Sequence, residues 1–290
     1  MLTLTHALND ETAGSLVLGD ELRVRRLGFG ALRFIGPRLW GAPTDPDGAR
    51  ELLRRAFQLG VNLIDTADCY GPEVSERLIG ETLHPYPEGL VIATKGGLTC
   101  PGPGRWVPNG RPEHLRRACD GSLRRLRLQR IDLYQFHRPD PTVPLEESIG
   151  TLAELRAEGK IRHVGLSNVD LAQLKRAQKI VPIVSIQNRY NLTDRHNEAM
   201  VDHCQRHGIA FLAWAPLDAG DLAAPGGLLE RIAARHWAST GQVALAWLLR
   251  RSSAMLPIPG TSSVEHLLEN LAAPLVPLTS GEVEELGRHP

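Results

Sequence analysis

The stretch ARELLRRAFQLGVNLIDTADCYG, residues 49–71, holds one complete unit of the fold. Ala49, Leu52, Leu53, Ala56 and Phe57 recur at the i, i+3, i+4, i+7, i+8 spacing that gives a helix a single buried stripe. A short strand-like run, 62–65, follows and ends on Asp65, with Tyr70 on the loop beyond it. The alternation continues in both directions. Apolar strand-like runs fall at 27–30, 62–65, 90–94, 133–137, 163–167, 185–188, 210–215 and 255–258, and helical patterns such as 145–158, 171–180 and 243–249 lie between them. Strands that alternate with helices pair in parallel through right-handed crossovers. Eight such units predict an α/β fold closed into a (β/α)8 TIM barrel, as a single domain over residues 1–290. Ahead of the barrel, SLVL and LRV flank Gly19-Asp20 and predict an N-terminal β-hairpin. The Pro/Gly-rich stretch 96–111 is too long for an ordinary βα connection and follows a strand end, so a substrate-side loop is expected there.

Composition narrows the function classes. Hydrophobic residues make up 42% and charged residues 23%, enough to bury a substantial core. Basic and acidic side chains balance at 33 each, with a sequence pI near 7.2, so no net field favours nucleic acid or an anionic membrane. The run Arg116, Arg117, Arg124, Arg125, Arg127 and Arg130 reads as the solvated face of an amphipathic helix. MLTLTHALNDETAGS lacks the basic and apolar regions of a secretory leader, and no apolar run approaches a membrane span, so a soluble cytoplasmic protein is expected. Cys69, Cys100, Cys119 and Cys204 are scattered, and His203 and His207 share a helix face without a third ligand, so no metal site is expected.

In a barrel of this type the reactive groups belong at the carboxyl ends of the strands. There the sequence places Asp65, Lys95 and His137, with Tyr70 on the loop after the second strand. These four interlock chemically. An ammonium beside a tyrosine favours phenolate, a carboxylate holds that ammonium charged, and the tyrosine becomes a usable acid or base. A phenol O–H and an imidazole N–H aimed at one carbonyl oxygen would stabilise the charge it develops on receiving hydride. Gly28-Phe29-Gly30 is a lone GxG, so a Rossmann fingerprint is absent.

The motifs DTADCYG, VIATK, DLYQFHRPD, GKIRHVGLSN, IQNRYN, LAWAPL and IPGTSSVEHLLEN, in this order, resemble the aldo-keto reductase superfamily along nearly the whole chain. The resemblance implies reduction of small aldehydes and ketones with NADPH, or NADH, as hydride donor. It implies Tyr70 as general acid, Lys95 and Asp65 as its tuning pair, and His137 as the residue that orients the carbonyl. It further implies that Ser167, Asn168 and Gln187 hold the nicotinamide carboxamide and that Trp214 stacks on the ring. Gly30, Ala31 and Leu32 would contact the cofactor beside Asp65 and Tyr70. The run Ala215, Pro216, Leu217 through Gly220 would cover the pyrophosphate. Pro259, Gly260, Thr261, Ser262, Ser263, His266, Glu269 and Asn270 would grip the adenosine end, at a helix amino end that favours phosphate. Gly260 stands where many relatives carry lysine and His266 where many carry arginine, so a reduced preference for NADPH is expected.

Leu32, Phe34 and Trp106 are expected to line the substrate pocket, since apolar and aromatic walls dominate such sites. Within the superfamily, the segment from Gly36-Pro37 to Trp40-Gly41-Ala42-Pro43, with YGPEVSE and IPGTSSVEHLLEN, looks most similar to the bacterial pyridoxal reductase-like members. No obligate protein partner is evident. Two other readings compete: a non-catalytic subunit, as in the β subunits of potassium channels, and a Schiff-base lyase built on Lys95. The carboxylate beside Lys95 argues against the second, because it raises the lysine pKa.

Overall fold

The computed structural model describes residues 8–218 and 226–288. The chain enters through a single helical turn, α1 (Asp10–Ala13), and an antiparallel hairpin, β1 (Ser15–Leu18) and β2 (Leu22–Arg25), closed over Gly19 and Asp20. The first three barrel strands are β3 (Phe29–Gly30), β4 (Leu63–Asp65) and β5 (Val91–Gly96). A second hairpin, β6 (Leu98–Gly102) and β7 (Arg105–Pro108), stands outside the barrel. Five more barrel strands follow: β8 (Ile131–Phe136), β9 (Ile161–Ser167), β10 (Ile183–Arg189), β11 (Ala210–Trp214) and β12 (Met255–Pro257). Helices α2 (Pro46–Gln58), α3 (Val74–Leu83), α4 (Pro112–Leu126), α5 (Leu145–Ala157), α6 (Leu171–Ala177), α7 (Glu198–His207), α8 (Gly227–Arg235) and α9 (Thr240–Arg251) alternate with them. The carboxyl-terminal helices are α10 (Val264–Ala272) and α11 (Ser280–Arg288).

The barrel strands pair in parallel in chain order, from β3 to β12. The first and last close on each other through Gly28 N–H to Pro257 O at 3.0 Å and Gly30 N–H to Pro259 O at 3.2 Å. This is the (β/α)8 barrel that the alternation predicts, preceded by the predicted hairpin. Side chains alternate in and out of it with period 2. Along β4, Leu63 joins the interior cluster with Val91, Leu133, Leu212 and Leu256, while Ile64 faces outward with Leu52, Leu53 and Ala56 of α2. Leu18, Leu22 and Val24 of the entry hairpin belong to the interior cluster, so the hairpin plugs the amino-terminal mouth. Each such fully buried leucine contributes roughly 1.5–3 kcal/mol.

Two expectations gain detail. Within the stretch 96–111, expected as a substrate-side loop, residues 98–108 form a hairpin: Leu98 pairs with Pro108, Thr99 with Val107 and Gly102 with Arg105. The arginine-rich helix is not uniformly solvated. Arg116 reaches Glu154 of α5 and Glu158 just beyond its end, and Arg125 turns inward to Glu73 and to the buried Glu76, with Nε 2.7 Å from Glu76 Oε2.

Candidate active site

At the carboxyl-terminal mouth, Lys95 Nζ donates to Asp65 Oδ2 at 2.6 Å, to Thr66 O at 2.8 Å and to Tyr70 Oη at 3.3 Å. These use all three ammonium protons. The other oxygen of Asp65 accepts from Gln135 Nε2 at 3.0 Å and Gln187 Nε2 at 2.7 Å. Because a carboxylate only accepts, both amides must turn their NH2 groups toward it, and Gln187 Oε1 is left facing away. Asp65, Gln135 and Gln187 come from the second, fourth and sixth barrel strands, the alternate-strand layering of such interiors. Gln135 is a site residue that sequence reading missed. Its position two residues before His137, on the same inward face of β8, was the available signal.

Tyr70 is held by a tight turn. Its N–H donates to Ala67 O at 3.2 Å, and Gly71 beyond it has φ +95, where a Cβ would lie 2.6 Å from Val74 Cβ. Thr66 Oγ1 donates to Ser75 Oγ at 2.9 Å, and Ser75 Oγ donates to Ala31 O at 3.1 Å, which ties this turn to the end of β3. The Tyr70 and His137 rings meet edge to face with centroids 6.0 Å apart. Cys69 Sγ lies 3.6 Å from His137 Nδ1.

Burial dominates the electrostatics. It pushes the Tyr70 phenol up to about 12, and the opposing pull of Lys95 is the smaller effect. The expected lowering of Tyr70 is thus reversed, because desolvation of the phenolate outweighs the ammonium beside it. Burial works the other way on Lys95, yet Asp65 and Tyr70 together hold its pKa above the ordinary lysine value. Burial, Lys95 and Arg138 put His137 well below the usual histidine range, so its imidazole is neutral.

Above this group opens a cavity of about 700 Å³, within the range of small-molecule sites. Asp65, Tyr70 and His137 line it, while Lys95 is fully buried beneath. Gly30, Leu32, Ser167, Asn168, Gln187, Trp214, Ala215, Pro216 and Leu217 line it as well. So do Pro259, Gly260, Thr261, Ser262, His266, Glu269 and Asn270 along one arm, and Trp106 of β7 on the other side. Gly220 and residues 1–7 lie outside the described residues.

Three expected residues sit elsewhere. Phe34 is buried against Phe29, with ring centroids 5.2 Å apart, so it belongs to the core and not to the cavity wall. Ala31 is fully buried, and Ser263 caps α10 by accepting from His266 N–H at 3.4 Å. The structure adds Arg33, Leu98, Arg138 and Arg189 to the lining. Arg189 pairs with Asp194 and Asp218 and lies 5.6 Å from the Trp214 ring centre.

The cavity suits a nicotinamide dinucleotide. Asn168 Nδ2 donates to His137 O at 3.0 Å and to Ser167 Oγ at 2.9 Å, which leaves Asn168 Oδ1, the Ser167 hydroxyl proton and Gln187 Oε1 as one donor and two acceptors. A carboxamide needs that complement. Gly30 and Gly260 approach closely: a Cβ on Gly260 would lie 2.6 Å from Gly30 O, and one on Gly30 2.7 Å from Ile258 O. Backbone alone therefore forms this part of the cleft.

Comparison with known proteins agrees with this geometry. The Aldo/keto reductase family profile matches residues 26–289. An uncharacterized oxidoreductase of Schizosaccharomyces pombe is 47% identical over 274 residues, covering 94% of this chain and 89% of the relative. Pyridoxine 4-dehydrogenase of Escherichia coli is 42% identical over 269 residues, covering 90% and 93%. Among solved structures, an aldo/keto reductase from Klebsiella pneumoniae in complex with NADP and acetate superposes with a TM-score of 0.78 at 26% identity, covering 94% of each chain. With the barrel, the buried Asp65–Lys95–Tyr70 chain and a family match over nearly its full length, the protein belongs to the aldo/keto reductase family of oxidoreductases.

Proposed function

We propose that this chain reduces aldehydes and ketones to alcohols, with Tyr70 as general acid and NADPH preferred over NADH, and that pyridoxal-like aldehydes are among its substrates. The observation that carries the reading is the buried Asp65–Lys95–Tyr70 chain ending at the cavity floor beside His137. Bound nicotinamide would supply the hydride.

The residues of the chain do the rest. Tyr70 stays a phenol at neutral pH, as a proton donor must, because burial holds its pKa near 12. The alkoxide formed at the carbonyl oxygen is far more basic than phenolate, so the proton moves downhill, and charged Lys95 at 3.3 Å stabilises the phenolate left behind. Neutral His137, with Nδ1 toward Cys69, has Nε2 free to donate to the carbonyl oxygen. Ser167, Asn168 and Gln187 would hold the carboxamide, Trp214 the ring face, and the arm from Pro259 to Asn270 the adenosine end. The Escherichia coli relative named for pyridoxine supports the substrate, and the NADP-bound Klebsiella structure supports the cofactor. Lys95 in an ion pair is a poor imine former, which disfavours the lyase reading.

We place the reaction in the cytoplasm, which the four free cysteines support. No helix among the described residues is long and apolar enough to cross a membrane. A panel of aldehydes and ketones including pyridoxal, followed by loss of cofactor absorbance with each nicotinamide, tests the whole reading. Turnover of none of them would reject it.

A further inference from the structure

Asp68, Cys69 and His137 are the one group of three potential metal-ligating side chains found among the described residues, with an atom of each within 4.8 Å of the others. All three are buried. The 3.6 Å between Cys69 Sγ and His137 Nδ1 matches a shared zinc ion, because bonds of about 2.3 Å and 2.0 Å at the tetrahedral angle separate sulfur and nitrogen by about 3.5 Å. Asp68 supplies an independent sign. Its Oδ1 is buried with no hydrogen-bond partner among the described residues, a costly state for an acceptor unless something else is to occupy it. In the proposed carbonyl reduction, neither Asp68, nor Cys69, nor Nδ1 of His137 touches the substrate; Cys69 only faces that nitrogen.

We propose that Asp68, Cys69 and His137 bind one thiophilic divalent cation, Zn2+ being the ion whose ligand preferences they match. Thiolate and imidazole select such a metal over Mg2+ or Ca2+, and three protein ligands leave a fourth position for water. A dication with one thiolate and one carboxylate is neutral as a unit, so a buried site can hold the three charges together where neither anion is favourable alone. Binding releases the thiol proton, and the carboxyl proton where one is present, to solvent. The imidazole is shared with the carbonyl site, so the bound cation fixes the ring from its Nδ1 side, keeps the proton on Nε2 and changes the turnover rate.

Co2+ titrated into the metal-free full-length protein tests the site directly. One equivalent should bring up a thiolate-to-cobalt charge-transfer band in the near ultraviolet, and Zn2+ should bleach it. Cys69→Ser should abolish the band, and Asp68→Asn should weaken Co2+ binding at least about tenfold, the lower end of what disturbing a metal site costs. Cys204→Ser, at a buried thiol on α7, should leave the band unchanged. The two site variants act independently, so failure of one to fold leaves the other as a test. Absence of the band from the wild-type protein in excess Co2+, or its persistence in Cys69→Ser, overturns the proposal. The effect of Zn2+ on turnover, taken as a ratio to each variant's own metal-free rate, should disappear in Cys69→Ser. That last arm rests on the reductase reading, whereas the cobalt band reports binding without any turnover.

Discussion

The two mouths of the barrel are built from the same strands and have opposite characters. At the amino-terminal mouth, Leu63, Ala93 and Leu133 pack against Leu18, Leu22 and Val24 of the plugging hairpin. Two residues further along the same inward rows stand Asp65, Lys95 and Gln135, hydrogen-bonded to one another and to Gln187. Two residues of strand rise only about 6–7 Å, so the interior turns from apolar to ionic within one layer of side chains. The lower layers are closed and hold the fold together; the upper layer is open to the cavity and can do chemistry.

If that division is right, removing the Tyr70 hydroxyl should leave folding alone and break catalysis. Tyr70→Phe should keep its melting temperature and cofactor affinity while kcat for the best aldehyde falls about 10²–10⁴-fold, the usual worth of a positioned acid. A few-fold loss only would end the tyrosine mechanism. Lys95→Met should follow closely, since Asp65 and Tyr70 both lose the ammonium between them.

The mirror experiment sits at the other mouth. Leu18 is fully buried, and Leu18→Ala should cost about 2–5 kcal/mol of unfolding free energy, read by urea titration. The kcat measured well below the new transition should stay near that of the wild type. A large fall in kcat would mean that the two layers are mechanically coupled.

The upper layer can also be probed by pH. With the Tyr70 pKa raised to about 12, the phenol that the proposed reduction needs is fully present from pH 6 to 9, so the reduction rate should be flat there. Oxidation of the alcohol needs the phenolate, whose fraction rises tenfold per pH unit below the pKa, so the initial oxidation rate should climb with pH at a slope approaching one. Equal slopes in both directions would contradict the buried phenol.

Smaller effects are expected at the cavity walls. Trp106→Ala should shift the ratio of kcat/KM between bulky and small aldehydes several-fold, with cofactor affinity unchanged, as measured by fluorescence titration. At the proposed adenosine end, the NADPH-to-NADH affinity ratio should exceed one, and His266→Ala should lower it modestly if the imidazole meets a 2′-phosphate. A ratio unchanged in that variant would remove His266 from that role.

The sequence revealed most where physics is periodic. Fully buried parallel strands such as VIATK and LYQFH read as apolar runs tipped by a polar residue, and the eight of them imply closure. The hairpin over 98–108 was hidden because TCPGPGRW carries the turn residues of an irregular loop, and only the cross-strand pairs Leu98–Pro108 and Thr99–Val107 disclose it. Phe34 looked like a wall residue from its place after the first strand, yet its direction depends on the short helical turn over Ala31–Phe34 that stacks it on Phe29. The tuning of Tyr70 was misjudged for a related reason. Sequence shows which charges stand near a phenol but not how completely it is removed from water.

The close approach of Gly30 and Gly260 bears on how this enzyme's lineage can change. Any side chain at position 260 would need a Cβ 2.6 Å from a carbonyl oxygen of the first strand, at the seam where the barrel shuts. A lysine there is sterically barred unless the seam opens first, so substitutions must occur in order, with the backbone moving before the charge arrives. Selection for a different nucleotide is therefore channelled to Ser262 and His266, whose side chains have room at the cavity edge.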